Sequence, residues 1–285
     1  MHTGRFAPSP TGPLHLGSLV AAAGSWLFAR AVGGRWIVRM EDLDTPRVVP
    51  GADRAILDAL QRYALEWDGE VVYQSTRIDA YETALSSLRE KNLVFDCACS
   101  RAELQSAASA PLGREPIYPG TCRNGTTRPA RSVRFRANGV IVFDDVVFGH
   151  IEEVLATTTG DFVVKRADGV FAYQLAVVVD DEWQGVTQVV RGADLLASTP
   201  RQIALQRALG YRTPQYAHLP LVVDATGAKI GKRQGLYALD DDALQVALRV
   251  LGIDVERDAP AKMLENALAR FSASRVPRRA WTPSA

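Results

Sequence analysis

Apolar residues fall in short β-branched or aromatic runs separated by longer amphipathic stretches, an alternation that predicts strands and helices taken in turn. Residues 4–7 read as a short buried strand. Residues 18–32 read as a helix packed through Leu19, Ala22, Ala23, Trp26 and Leu27 and ended by Gly33 and Gly34. Residues 36–40 form the next strand, so the opening segment is a β-α-β unit, and such a unit implies a parallel sheet. Glu41-Asp42-Leu43-Asp44 then falls at a strand's carboxyl end, the edge where open α/β sheets bind ligands. Residues 51–63 and 77–91 are further helices, charged on one side.

From Asp96 the texture changes to cysteine, glycine and proline with short alternating strands at 132–136 and 140–143, which predicts an inserted β-rich subdomain. Arg131, Arg134 and Arg136 alternate with apolar neighbours and would share one sheet face, either as a surface for an RNA backbone or as an ordinary solvated face. The apolar run 171–181 suits a strand or a helix core. A strand follows at 187–190, then the loop 191–194, then a helix capped by Ser198 or Thr199 with Pro200 in its first turn, closed by Gly210. The segment from Asp240 reads as a helix with three aspartates in its first turn and Leu244, Ala247, Leu248 and Leu251 apolar; beyond Ser272, Arg275, Pro277, Arg278 and Arg279 look like a frayed basic end.

Composition narrows the partners. Lys plus Arg (33) nearly balances Asp plus Glu (32), so the net charge of +1 supplies no whole-protein field for nucleic acid, and an RNA must be held by local patches. No run is long enough to span a membrane and no secretory pattern opens the chain, which predicts a cytoplasmic protein without a membrane partner. The three cysteines cannot all pair with one another. Cys97 and Cys99, with Cys122 farther on, instead suit a structural metal clip, the alternative being buried free thiols.

Two segments are suited to nucleotide phosphates. The first runs from Arg5 through Pro8-Ser9-Pro10-Thr11-Gly12 into His15-Leu16-Gly17-Ser18, a strand end leading by a Pro/Gly loop into a helix N-terminus. The second is Lys229-Ile230-Gly231-Lys232-Arg233. Neither is the Walker-type nor the dinucleotide glycine motif. Together they resemble the two signatures of class I aminoacyl-tRNA synthetases, His-Ile-Gly-His and Lys-Met-Ser-Lys-Ser. Arg39-Met40-Glu41-Asp42 and Val190-Arg191-Gly192-Ala193-Asp194, met in order along the chain, resemble the glutamate-specific branch of that family.

The resemblance implies an α/β fold with a Rossmann-type catalytic core in two halves, 1–95 and 171–235. Between them lies a zinc-containing acceptor-binding-like insert, 96–170, and a short helical segment follows at 236–285. It assigns glutamate to Arg5, Ser9, Glu41, Tyr173 and Arg191, and ATP to Pro8, His15, Gly17, Ser18 and Lys232. His15, Lys229 and Lys232 become the catalytic groups, and Cys97, Cys99, Tyr118 and Cys122 the ligands of one structural zinc. ATP would be a substrate, accompanied by Mg. The chemistry agrees with these assignments. A dicarboxylic amino acid calls for a bidentate arginine and for an acid facing its ammonium group, and histidine and lysines can stabilise charge on phosphate. Gly231 stands where the family has serine.

An ordinary member of the glutamate branch continues into a helical anticodon-binding region, whereas only a short segment follows Arg233 here. The chain most resembles the small members that form glutamyl-AMP without tRNA and pass glutamate to the cyclopentenediol of queuosine in the anticodon stem-loop of tRNA(Asp). A truncated synthetase charging a tRNA 3′ end and a silent RNA-binding or amino-acid-binding paralogue are the alternatives. A monomer is expected.

Overall fold

The computed structural model describes residues 1–107, 117–224, 226–228 and 239–282. Strand β1 (Thr3–Phe6) is buried throughout and leads into helix α1 (Leu16–Arg30). The helix buries far more than one stripe: Leu16, Val20, Phe28 and Ala29 join Leu19, Ala22, Ala23 and Leu27, while Trp26 is only half-buried. A helix covered by sheet on one side and by other helices on another is apolar nearly all round. Strand β2 (Arg35–Met40) runs parallel to β1 with Phe6 opposite Val38. Its alternate residues part to two cores, Trp36, Val38 and Met40 to one face and Ile37 to the other.

Helix α2 (Ala52–Arg62), strand β3 (Val72–Tyr73), helix α3 (Ile78–Glu90) and strand β4 (Val94–Cys97) complete the first part. There follow α4 (Arg101–Ala107), β5 (Ser132–Phe135), β6 (Val140–Asp145), β7 (Gly149–Val154), α5 (Leu155–Thr158) and β8 (Phe162–Lys165). The remainder is α6 (Tyr173–Trp183), β9 (Gln188–Gly192), α7 (Thr199–Leu209), β10 (Gln215–Leu219), α8 (Ala243–Val250) and α9 (Pro260–Arg270). The large sheet has the order β3-β2-β1-β9-β10-β6-β7, parallel except for β7. Strands β4, β5 and β8 form a separate antiparallel sheet. The hairpin β6–β7 thus edges the large sheet, while its sequence neighbours belong to the small one.

One open expectation is settled and three are corrected. The run at 171–181 is the helix α6; its valines at 177–179 are 1%, 1% and 6% exposed, and burial on this scale outweighs the preference of β-branched residues for strands. Arg131, Arg134 and Arg136 do not share one solvated face: Arg131 is exposed, Arg136 half-buried and Arg134 buried. Arg134 is buried, with its guanidinium 4.1 Å over the Tyr118 ring and donating to the Asp161 carbonyl, and Arg136 lies over Phe95. Asp240, Asp241 and Asp242 precede α8: the Asp240 carbonyl accepts from Tyr63, Asp241 pairs with Arg62 and Asp242 with Arg257. Nor do residues 273–282 form a frayed end. Val276 is buried, and Trp281 makes a strand-like bridge to Val222, its N–H donating to the Leu221 carbonyl and its carbonyl accepting from Val223.

Candidate active site

Between β1 and β9 the chain's winding reverses, since β2 and β3 lie to one side and β10 and β6 to the other. The carboxyl edge of such a sheet opens a crevice at that point. Here it is a cavity of about 460 Å³. Arg5 and Phe6 enter from the end of β1, Glu41 from just beyond β2, Arg191 and Gly192 from β9, Leu219 from β10 and Tyr173 from the start of α6. Pro8, Ser9, His15, Gly17 and Ser18 line it as well, so every expected glutamate or ATP residue outside the basic loop borders one space. Lys229 and Lys232, with Ile230, Gly231 and Arg233, lie outside the described residues.

The loop from Ala7 to Leu14 is pinned at two points in its first half. The Pro8 carbonyl accepts from the Glu41 N–H and the Pro10 carbonyl from the Val49 N–H, each at 2.9 Å, and Gly12 has φ of 136°, a conformation that disfavours a side chain. His15 is the N-cap of α1. Its Nδ1 accepts from the Ser18 N–H at 3.3 Å, so one side chain both caps the helix and borders the cavity.

Beneath the cavity floor lies an ion network that no local pattern announced. Asp181 receives Arg39 at 2.8 Å and Arg5 at 3.4 Å, and Asp180 receives Arg77 at 2.6 Å together with the Gln74 amide and the Tyr81 hydroxyl. Burial would push Asp181 up, but Arg5 and Arg39 outweigh it and hold the carboxyl below its usual range. Glu41 fares differently. Burial lifts its carboxyl to about 7 in spite of Arg39 and Arg5, and its Oε1 is buried without a hydrogen-bond partner among the described residues. The only sequence signal for the network was a pair of acids closing an apolar run, since a buried carboxylate must find cations.

Arg191 is 4% exposed, and its five N–H groups meet five acceptors: His218 Nε2 (3.1 Å), the Tyr173 hydroxyl (3.1 Å), Gln202 Oε1 (2.8 Å), the Leu195 carbonyl (3.3 Å) and the Thr199 hydroxyl (2.8 Å). None of these is a carboxylate. Thr199 therefore serves Arg191, and Ser198 accepts from the Gln174 amide, so neither hydroxyl caps α7 as expected.

Away from the cavity, Cys97, Cys99 and Cys122 are buried with their sulfurs within 4.8 Å of one another. The Tyr118 hydroxyl stands 3.5 Å from Cys97 and 3.7 Å from Cys99, and it accepts from the Cys122 N–H at 2.7 Å. Tetrahedral zinc with bonds of about 2.3 Å places its sulfurs about 3.8 Å apart. Cys99 and Cys122 are 3.7 Å apart. Burial raises the Cys122 thiol, but the Ala98 N–H and the Tyr118 hydroxyl bring it down to about 7, which favours a thiolate at this corner.

Residues 2–271 match the family of class I tRNA synthetases (E and Q), catalytic domain, and the chain belongs to it. It is an aminoacyl-tRNA synthetase-type ligase with the α/β core of that class. Among its relatives are proteins named Glutamyl-Q tRNA(Asp) synthetase. That of Dechloromonas aromatica is 55% identical over 88% of this chain and 86% of its own length, and that of Pseudomonas entomophila is 48% identical over 100% and 97%. The glutamate tRNA ligase of Elizabethkingia meningosepticum, solved with its amino acid, superposes with a TM-score of 0.82 at 24% identity, over 99% of this chain and 67% of that one, which shows the shared fold.

Proposed function

We propose that the chain joins L-glutamate to ATP as glutamyl-AMP without tRNA and then transfers the glutamyl group to the cyclopentenediol of queuosine at the wobble position of tRNA(Asp). The observation that carries the amino-acid reading is Arg191, a buried cation whose five acceptors are all neutral, bordering the same cavity as Glu41, whose Oε1 has no hydrogen-bond partner among the described residues. A dicarboxylic amino acid supplies the missing charges: its side-chain carboxylate meets Arg191 beside Tyr173, and its ammonium group meets Glu41, with Arg5 and Ser9 nearby. The queuosine acceptor rests on the relatives' names and on the match over nearly their whole length.

In the first step an oxygen of the glutamate α-carboxylate forms a bond to the α-phosphorus while the bond from phosphorus to pyrophosphate breaks. The carboxylate is itself the nucleophile, so the protein's part is alignment and charge stabilisation. His15 and the N-terminus of α1, with Gly17 and Ser18, face the phosphates, and Lys229 and Lys232 neutralise the departing pyrophosphate. In the second step a queuosine hydroxyl attacks the activated carbonyl, loses its proton, and AMP leaves. Cys97, Cys99, Cys122 and Tyr118 would hold one zinc, whose chemistry is structural: it ties the end of β4 to the turn at 121–124.

The deciding measurement is the attachment of labelled glutamate to tRNA(Asp) with and without queuosine, followed by digestion to locate the label. Label confined to the anticodon of queuosine-containing tRNA is expected. Equal labelling of both, or label at the 3′ end, overturns the reading.

A further inference from the structure

A buried carboxylate–imidazole pair lies behind Arg191, and the reaction above makes no use of it. Asp145 ends β6 and His218 lies on β10, the neighbouring strand, with both side chains fully buried. Oδ1 of Asp145 accepts from the N–H groups of Val147, Phe148 and His218 at 3.0, 2.9 and 3.2 Å, which leaves Oδ2 facing Nδ1 of His218 at 2.6 Å. Burial raises the Asp145 carboxyl, but the histidine and these backbone donors hold it below its usual range. An ionised carboxylate only accepts, so the imidazole proton lies on Nδ1. Nε2 is then a lone pair, and it accepts the Nε–H of Arg191.

The consequence falls on the guanidinium. Its bonds to His218, Gln202 and Thr199 are buried and fix its plane. The other two, to Tyr173 and the Leu195 carbonyl, are part-buried; they use one N–H from each terminal nitrogen, and both partners line the cavity. We propose that Asp145 and His218 are positioning residues for Arg191, holding its Nε–H away from the cavity so that one N–H of each terminal nitrogen meets a carboxylate and rejects the matching carboxamide. A carboxamide keeps one acceptor oxygen, so its NH₂ would face the other of those two donors, and a donor set against a donor is a basis for rejection in such a pocket. The proposal rests on Arg191 as the partner of the side-chain carboxylate.

Asp145→Asn tests it with little change of shape. The three backbone N–H groups hold the amide oxygen at the Oδ1 position, so the NH₂ faces Nδ1 of His218 and drives the proton to Nε2, where it opposes the Nε–H of Arg191. His218→Gln has the opposite outcome, because a glutamine can donate to Asp145 and present its oxygen to Arg191.

In glutamate-dependent pyrophosphate exchange, Asp145→Asn should raise the glutamate KM about tenfold, narrow the preference for glutamate over glutamine, and leave the ATP KM within about twofold, while His218→Gln stays within about threefold of the parent. Asp145→Asn with unchanged glutamate KM and unchanged preference, in an enzyme that Arg191→Ala cripples for glutamate, overturns the positioning role alone. Arg191→Ala with unchanged glutamate KM overturns the pocket assignment, and the positioning role with it. Should Asp145→Asn fail to fold, the unaltered enzyme still decides: ¹⁵N-histidine spectra at neutral pH, with His218 assigned by its loss in His218→Gln, must show the Nδ1–H tautomer, and an Nε2–H or doubly protonated ring refutes the proposal.

Discussion

Oε1 of Glu41 lies 3.6 Å from a terminal nitrogen of Arg39, close enough for charge attraction, and yet it takes no hydrogen bond among the described residues. That nitrogen donates an N–H to Asp181 at 2.8 Å. Glu41 is thus left with cations nearby and no donor aimed at Oε1, which is why burial prevails and its carboxyl titrates near 7. In the proposed reaction this oxygen is the acceptor for the ammonium group of glutamate.

The pH dependence follows from that value. An ammonium needs the ionised carboxylate, so the glutamate KM should fall as pH rises from about 6 to about 8, with the ATP KM moving less. Stability runs the other way. Between the ordinary carboxylate range and 7 the folded state holds a proton that the unfolded chain has released, so this group lowers stability as pH rises through that window. Glu41→Gln should abolish the slope in KM, weaken glutamate binding, and melt at a higher temperature than the parent at pH 8. A melting temperature unchanged at pH 8 would contradict the raised pKa.

Gly17 separates packing from propensity. A Cβ there would lie 3.2 Å from two atoms of the His15 ring, and nothing else is within contact range. Gly17→Ala gains up to about 1 kcal/mol of helix propensity in α1. The ring must give by a few tenths of an ångström. Thermal stability should hold or rise while the exchange rate falls several-fold, and calorimetry beside kinetics checks both.

Asp181 is the acceptor that Arg5 and Arg39 share. Asp181→Asn leaves two buried guanidinium groups short of a countercharge and should cost about 3 kcal/mol or more, since breaking a buried pair exposes the full desolvation cost of the survivor. Chemical denaturation checks this. A loss below 1 kcal/mol would mean that Gln184 and Glu41 suffice to hold Arg39.

Metal analysis should find about one zinc per chain, bound where the three sulfurs meet. A strong chelator should speed hydrogen exchange in residues 94–97 and 117–136, while glutamate-dependent pyrophosphate exchange, whose groups line a separate cavity, falls less. Cys122→Ser should reproduce the effect without chelator. Equal protection in treated and untreated protein would refute the clip.

Sequence patterning reached those features whose cause is local. The β-α-β opening is legible because Trp36, Val38 and Met40 alternate with Ile37 and because two glycines stop α1, and the bounds fall within two residues of those observed. The segments bordering the cavity are legible because a strand end, a Pro/Gly loop and a helix start follow one another directly. Features whose partners are distant in the chain were not. Arg134 looks like a surface residue until the Tyr118 ring is placed beneath it, and the basic segment near Arg275 looks frayed until Trp281 finds Val222. Asp145 and His218 carry no mark that distinguishes them from any acid and any histidine, because their meaning arises only when β6 pairs with β10.

Strand β1 sits between β2, its near neighbour in sequence, and β9, which begins at Gln188. The wall formed by Leu221 and Val222 is in turn held by Trp281. During synthesis β1 and β2 therefore emerge long before their partners, and the cavity's arginines can meet Asp181, and its outer wall Trp281, only once most of the polypeptide has been made. Long-range closure of this kind is slow. A nascent chain stalled before Trp281 would thus lack the backbone bridge that holds Leu221 and Val223.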